Sequence, residues 1–240
     1  TLTTDESGQT PEINLKAPPR ELSLTPDITE QPYSEYNIQV TADGFETVLV
    51  SGSEILAGAY SLQPIRMNPL DVTEEEEKVV VIPPHTLFGE YPPKIPEEEI
   101  KPMNETGEIV LSRVVIPEYV IVHDGDPEDP TARNYWVRYK DYIKNVASSE
   151  IYPTCPESAI YANILVIQSF TLNRVYTEWY RGKGYDFTIT SSTAYDQKWV
   201  YGRNVFEEID YLVDSIFTNY LSRPGVRQPI FTSYCVGNPP

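Results

Sequence analysis

Apolar and polar residues alternate in three short runs near the start of the chain: Glu12-Ile-Asn-Leu15, Tyr36-Asn-Ile-Gln-Val40 and Glu46-Thr-Val-Leu-Val50. Gly, Pro and Asp punctuate them. A period of two with turn residues between the runs predicts β-strands, because successive side chains of a strand point to opposite faces. The Ala17-Pro-Pro-Arg-Glu21 segment reads as a long excursion between strands, since proline cannot donate to a ladder. Beyond Asn68 the alternation gives way to Glu74-Glu-Glu-Glu77, Pro83-Pro84, Pro92-Pro93 and Pro96-Glu-Glu-Glu99, interrupted by the short apolar run Val79-Val-Val-Ile82. That composition predicts an extended, solvated connector.

From about Met103 strand and helix patterns alternate. Ile109–Val122 holds two apolar, β-rich runs around Pro117, and Asn134–Tyr139 is a further strand. Lys140–Ser149 reads as a short helix. Thr154–Arg181 reads as a long one, with Thr154 and Glu157 as a capping box, Pro156 in the first turn, and Gly182 and Gly184 as terminators. Ile160, Ile164, Ile167, Phe170, Val175 and Trp179 supply its apolar stripe and are core candidates. A second main helix is expected over Val205–Leu221, capped by Asn204 and Glu207, followed by a strand over Gln228–Tyr234. The fold class is therefore α+β, in three parts: a β module over 1–68, an acidic Pro-rich linker over 69–102, and an α/β domain with two main helices over 103–240.

Charge narrows the partners. The chain carries 36 Asp and Glu against 18 Lys and Arg, a formal charge of -18, which argues against nucleic acid bound through its phosphates and against anionic membranes. No basic-then-apolar leader and no apolar run of membrane-spanning length occurs, so neither a signal peptide nor membrane insertion is expected of the sequence given. The two cysteines, Cys155 and Cys235, are expected as free thiols. They and His85 and His123 are scattered without C-x-x-C or H-x-x-x-H spacing, so no metal and no cofactor is expected.

The chemistry centres on Asn145-Val-Ala-Ser-Ser-Glu150-Ile-Tyr-Pro-Thr154-Cys-Pro-Glu157, which sets a carboxylate in an elbow between two helices. A glutamate after a helix gains nothing from that helix's negative end, so local stability does not explain Glu150. Ile151, Tyr152 and Pro153 can desolvate it, favouring the protonated form that an acid catalyst needs, while the positive end of the next helix acts in the opposite sense.

This elbow resembles the glycan-cleaving domain of the stage II sporulation protein D family, and within it the cortex-lytic enzymes of germinating spores. The likeness spans about Ile109 to Tyr234, including Val137–Val146 upstream and Phe187–Gln197 with Tyr201-Gly202 downstream. It implies a peptidoglycan lytic transglycosylase that needs no cofactor and cleaves between N-acetylmuramic acid and N-acetylglucosamine. Glu150 would be the acid/base residue, and Tyr152, Tyr195, Gln197 and Tyr201 would contact sugar. Asp186 and Asp196 are possible helpers, whereas Glu157 is assigned to the cap. A single carboxyl acting twice differs from the paired-carboxylate hydrolytic scheme, so the lack of an evident second carboxylate favours it. The implied partners are spore cortex glycan strands and an activating, subtilisin-like germination protease, and the implied location is the extracytoplasmic cortex and coat region of the spore.

Nearer the start, Thr3, Asp5 and Gly8 followed by Tyr36–Phe45 are similar to carboxypeptidase-regulatory-like, prealbumin-type β-sandwich modules. Such a module has one strand more before the Thr3 turn, so Thr1 is not expected to be a native start. The likeness implies a zymogen whose pro-module is released by a cut within Thr73–Pro96. Relatives carry Trp where this chain has Cys155, and after the Tyr-Cys pair continue with D-G where it reads Val236-Gly237, so the catalytic part is expected to be incomplete. Two alternatives stand beside this reading: an N-acetylmuramoyl-L-alanine amidase and a noncatalytic wall-binding or scaffold protein.

Overall fold

The computed structural model describes residues 1–26, 29–72, 77–95 and 111–232. In chain order the strands are Ser34–Val40 (β1), Thr47–Ile55 (β2), Ser61–Leu62 (β3), Glu77–Val81 (β4), Tyr119–His123 (β5), Asn134–Arg138 (β6), Ile189–Thr190 (β7) and Val205–Phe206 (β8). The α-helices are Tyr139–Glu150 (α1), Glu157–Tyr176 (α2) and Glu207–Ile216 (α3). The fold is mixed α+β, with three helices and three small sheets among the described residues.

β1 and β2 form an antiparallel pair with Ser34 opposite Ile55 and Val40 opposite Val48. The Val79–Ile82 run is not a free connector, although Val79 and Val81 face solvent. It supplies most of β4, which pairs in parallel with β2, setting Val50 opposite Val80. Flanking Glu and Pro residues hide a β-branched run that suits a pleated surface. Val48, Val50, Val80 and Ile82 make a small core of their own. Of the segment Thr73–Pro96 expected to hold the cut, residues 73–76 and Pro96 lie outside the described residues. Glu12–Leu15 forms no strand and lies exposed, and alternation without a partner ladder does not hold a strand. The Thr3–Gly8 spacing makes a local turn in which Asp5 Oδ1 accepts the Ser7 and Gln9 backbone N–H groups, both at 2.9 Å.

The N-terminal strands are stitched to the later part of the chain. β3 pairs antiparallel with β8, and the Asn204 amide accepts the Glu54 N–H at 3.1 Å while donating to the Glu54 carbonyl at 2.9 Å. Asn204 is thus a bridge to β2 and not a helix cap, and Val205 and Phe206 are strand, so α3 begins at Glu207. A third sheet runs β6-β5-β7, with β5 antiparallel to β6 and parallel to β7.

The main core lies where α1, α2 and α3 meet this sheet, around Val120, Val122, Ile143, Val146, Ile164 and Val213, all fully buried. Each such side chain contributes about 1.5–3 kcal/mol by leaving water. Ile160, Ile164, Ile167 and Phe170 of the expected stripe are buried, Val175 is half-buried, and Trp179 lies past the helix in a satellite cluster with Tyr180 and Phe187.

The helix boundaries differ from the sequence reading. α1 includes Glu150. α2 starts at Glu157 with Pro156 as its N-cap and no side-chain cap, because Thr154 is engaged elsewhere: its Oγ1 meets Ser23 Oγ at 2.6 Å. α2 stops at Tyr176, before the glycines. Thr177 Oγ1 donates to the Asn173 carbonyl at 2.8 Å and Glu178 turns left-handed at φ 47, after which a short 3-10 turn closes at Gly184. Ile109 and Val110 lie outside the described residues, and of Leu111–Val122 only the part from Tyr119 onward is strand. Of Gln228–Tyr234, only a single bridge from Pro229 to Ser222 forms within the described residues, which end at Thr232.

Candidate active site

α1 delivers Glu150 as its last residue, half-buried, with Oε1 accepting the Lys198 backbone N–H at 2.8 Å. The residues before it bolt this end of the helix to the segment Asp196–Arg203. The Asn145 amide accepts the Val200 N–H at 2.9 Å and donates to the Val200 carbonyl at 2.7 Å. Ser148 Oγ accepts the Phe206 N–H at 3.3 Å, and its carbonyl accepts Arg203 Nε at 3.0 Å. A guanidinium at a helix C-terminus also meets the negative end of the dipole. Arg203 reaches on to form a buried ion pair with Glu54 of β2. Burial pushes the Glu54 carboxyl up to about 7, with the Arg203 cation pulling the other way.

Two side chains hold Lys198 in place to donate to Glu150. Asp196 is wholly buried: Oδ1 accepts Arg174 Nε at 2.7 Å, and Oδ2 accepts the Tyr180 hydroxyl at 2.7 Å and the Thr190 N–H at 2.8 Å. Gln197 is equally buried, its Oε1 accepting from Thr171 Oγ1 at 2.8 Å and the Tyr142 hydroxyl at 3.2 Å, its Nε2 donating to the Ile167 carbonyl at 3.1 Å. Both are anchors of the frame. Their polar atoms are committed inside the protein, so neither presents a group to a ligand.

A two-lobed cleft runs beside this frame, each lobe about 260 Å³, with Val80, Tyr135, Trp199 and Tyr201 lining both. One lobe is polar, with Asp124, Ser191 and Lys198, and Lys198 links it to Glu150. Burial lowers the Lys198 ammonium's pKa, Asp124 raises it, Arg203 lowers it further and Glu150 raises it. The other lobe is aromatic, with Trp136 at its edge. Tyr135 stacks at a tilt on Tyr201, ring centroids 4.8 Å apart, and on Trp199 at 5.4 Å. Strand β4 forms the facing wall.

Residues 83–95 then cross the same region. Thr86 donates its N–H and its hydroxyl to the Ser149 carbonyl, at 3.1 and 2.9 Å. The Lys198 ammonium lies 4.8 Å from the centre of the Tyr91 ring, Lys94 Nζ donates to the Asp196 carbonyl, and the Ile95 N–H to the Ala194 carbonyl at 2.8 Å. His85 is fully buried against Tyr152, ring centroids 4.3 Å apart, and burial pushes its pKa well down, so the imidazole is neutral.

Of the five residues expected at the site, Glu150 and Tyr201 come to the cleft or next to it. Tyr152 is buried between His85 and Tyr33, Tyr195 is half-buried and gives its carbonyl to Arg174 at 3.2 Å, and Gln197 is interior. Asp186 lies away from Glu150, accepting from Asn134 Nδ2 at 2.9 Å. Cys155 is half-buried and burial pushes its thiol up, which keeps it protonated; Cys235 lies outside the described residues. Sequence reasoning misses Lys198, Trp199, Tyr135 and Trp136. Tyr135 and Trp136 read only as strand, and nothing in the pattern around Gln197 singles out Lys198 or Trp199.

Among the described residues no group of three or more His, Cys, Asp or Glu is placed to hold a metal ion, and no helix is long and apolar enough to cross a membrane. Comparison with protein-family models, with curated proteins and with solved structures gave no match to this chain.

Proposed function

We propose that this chain is the uncut form of a spore cortex-lytic enzyme of the SleC type, a peptidoglycan lytic transglycosylase with a prealbumin-type pro-module, acting in the outer layers of the germinating spore. The observation that carries the reading is the placement of Glu150: a half-buried carboxylate, oriented by the Lys198 N–H, beside a cleft walled by Tyr135, Trp199 and Tyr201. Aromatic faces of this kind suit pyranose rings, which present an apolar C–H face and a rim of hydroxyls.

In the proposed reaction the Glu150 carboxyl gives its proton to the glycosidic oxygen as the bond from C1 of N-acetylmuramic acid breaks. The same sugar's 6-hydroxyl oxygen then bonds to C1 and its proton passes to Glu150. The carboxyl is restored, a 1,6-anhydro ring forms, and no water is consumed. The contacts of residues 83–95 with Ser149, Lys198 and Asp196, the neighbours of Glu150 and its donor, support the zymogen part of the reading.

The test is digestion of purified cortex fragments with protein cut within 83–95, read by mass spectrometry. Anhydromuramic ends are expected. Reducing ends alone would overturn the transglycosylase, released stem peptides would point to an amidase, and intact glycan would point to a noncatalytic wall-binding protein.

A further inference from the structure

The cleft runs along strand edges. Successive side chains of a strand point to opposite faces, so a hollow over one face touches every second residue. The polar lobe instead touches Val79, Val80 and Val81 in succession, and the aromatic lobe touches Tyr135, Trp136 and Val137. β4 and β6 are the outer strands of their sheets, and among the described residues neither has a ladder partner on its outer side. Hydrogen-bond parity fixes which groups of β4 face the cleft. The Ile82 N–H donates to the Ser51 carbonyl of β2 at 2.8 Å, so the N–H groups of Val80 and Lys78 point the same way, and those of Val79 and Val81 point outward. An open strand edge is normally blunted by proline, charge or a bulge, because it templates pairing with another chain. Val79-Val80-Val81 carries none of these, and the Val79 and Val81 side chains are 55% and 66% exposed. Lys78 shares the inner face with Val80, both lining the aromatic lobe, and its ammonium donates to the Tyr201 hydroxyl at 2.6 Å with two further N–H donors. Exposed Arg66 lines the same lobe, so two cations flank this edge in a chain whose net charge is -18.

We propose that the outer edge of β4 is a docking site for an extended, acidic peptide segment of a partner protein, which joins the β1-β2-β4 sheet as a fourth strand. Residues opposite each other on paired strands share a face. The fitting segment therefore has an acidic residue beside Lys78, an apolar one beside Val80, and β-branched residues beside Val79 and Val81. Its backbone supplies affinity through the ladder, and its acid supplies selectivity. The inference goes beyond the glycan-cleaving reading and does not depend on it.

The probe is the peptide Thr-Val-Thr-Glu-Thr-Val-Thr, blocked at both ends and alike in either direction, added to the full uncut chain. Amide NMR with hydrogen exchange should show the Val79 and Val81 amides slowing roughly tenfold or more, while that of Val80, already turned to β2, is unchanged. Methylating the backbone nitrogens of one alternate set of peptide residues should abolish binding, and methylating the other set should leave it, since only one set faces β4. Replacing the central glutamate by lysine should weaken binding roughly tenfold or more, and protein carrying both Lys78→Met and Arg66→Met, with a retained melting temperature, should lose most of that preference. No binding, binding without slowed exchange at Val79 and Val81, or equal tolerance of the two methylated peptides would overturn the docking site. So would indifference to the glutamate, or a preference for it that survives the double substitution. Concentration-dependent protection of the same two amides without peptide would overturn it in favour of a second copy of this chain.

Discussion

Replacing Arg203 with Met removes the buried cation that joins the Glu150 helix to β2. The side chain is 1% exposed, donates Nε–H to the Ser148 carbonyl at 3.0 Å and pairs with a Glu54 side chain that is also 1% exposed. Methionine fills most of the volume but leaves Glu54 without this counter-ion and the Ser148 carbonyl without this donor. Breaking one side of a buried pair costs about 3–5 kcal/mol, a fifth or more of the stability of an ordinary domain. The cost depends on pH in a defined direction. Glu54's carboxyl is raised from 4.5 to about 7 in the folded protein, chiefly by burial. Between those values the folded state holds a proton that the unfolded state has lost, so wild-type stability is highest below the window. It falls by roughly 3 kcal/mol as pH rises through it. In Arg203→Met the carboxyl loses the cation that favours its ionised form, so the full penalty appears at pH 8 and shrinks at pH 5.5, where protonation relieves it. Urea unfolding followed by tryptophan fluorescence at both pH values measures this. A loss under 1 kcal/mol at pH 8, or the same loss at both, would refute the reasoning.

Glu54→Gln mimics the protonated carboxyl, so it should flatten the wild-type pH slope between 4.5 and 7 and hold at pH 8 a midpoint close to the one wild type shows below the window; a slope as steep as wild type's would show that another group carries it. Glu150→Gln keeps an acceptor for the Lys198 N–H but cannot donate and retake a proton, so cortex digestion should drop by at least a hundredfold with little change in melting temperature. Gln197→Ala should act oppositely, lowering stability by about 1–3 kcal/mol through the partners it strands, without a direct effect on glycan binding. Thr86→Val removes one of two hydrogen bonds to the Ser149 carbonyl and should speed proteolysis within 83–95, scored by gel densitometry; an unchanged rate would show that this contact does not secure the segment.

The elements that read well from sequence have strong local patterns. α1, the first two-thirds of α2, β1, β2 and β6 follow from alternation or from apolar residues on one helical face. Capping reads poorly: Thr154 and Asn204 look like cap residues, yet each spends its side chain on a distant partner, Ser23 and Glu54. Nothing in a window of neighbours reveals that competition. β4 is hidden for a related reason, because its partner β2 lies far back in the chain and its acidic flanks dominate the composition. At the site, Glu150 stands out because helix stability gives no reason for it. Gln197 and Tyr152 are misplaced by sequence alone because amide and ring chemistry suit burial and sugar equally, and only solvent exposure separates the two.

The stitching of β3 to β8, together with the Glu54–Arg203 pair, bears on what a protease can achieve here. A nick within 83–95 severs the chain but not these contacts, so residues up to about 82 would remain seated as a noncovalent partner. The scissile bond converts a tethered surface into a dissociable one whose local concentration drops only as the fragment drifts away. Cleavage and exposure of Glu150 are then separate events. The second is first-order fragment loss, whose rate is independent of concentration and whose extent dilution raises and added fragment lowers through rebinding, which gives a nicked sample a lag that its gel pattern does not show.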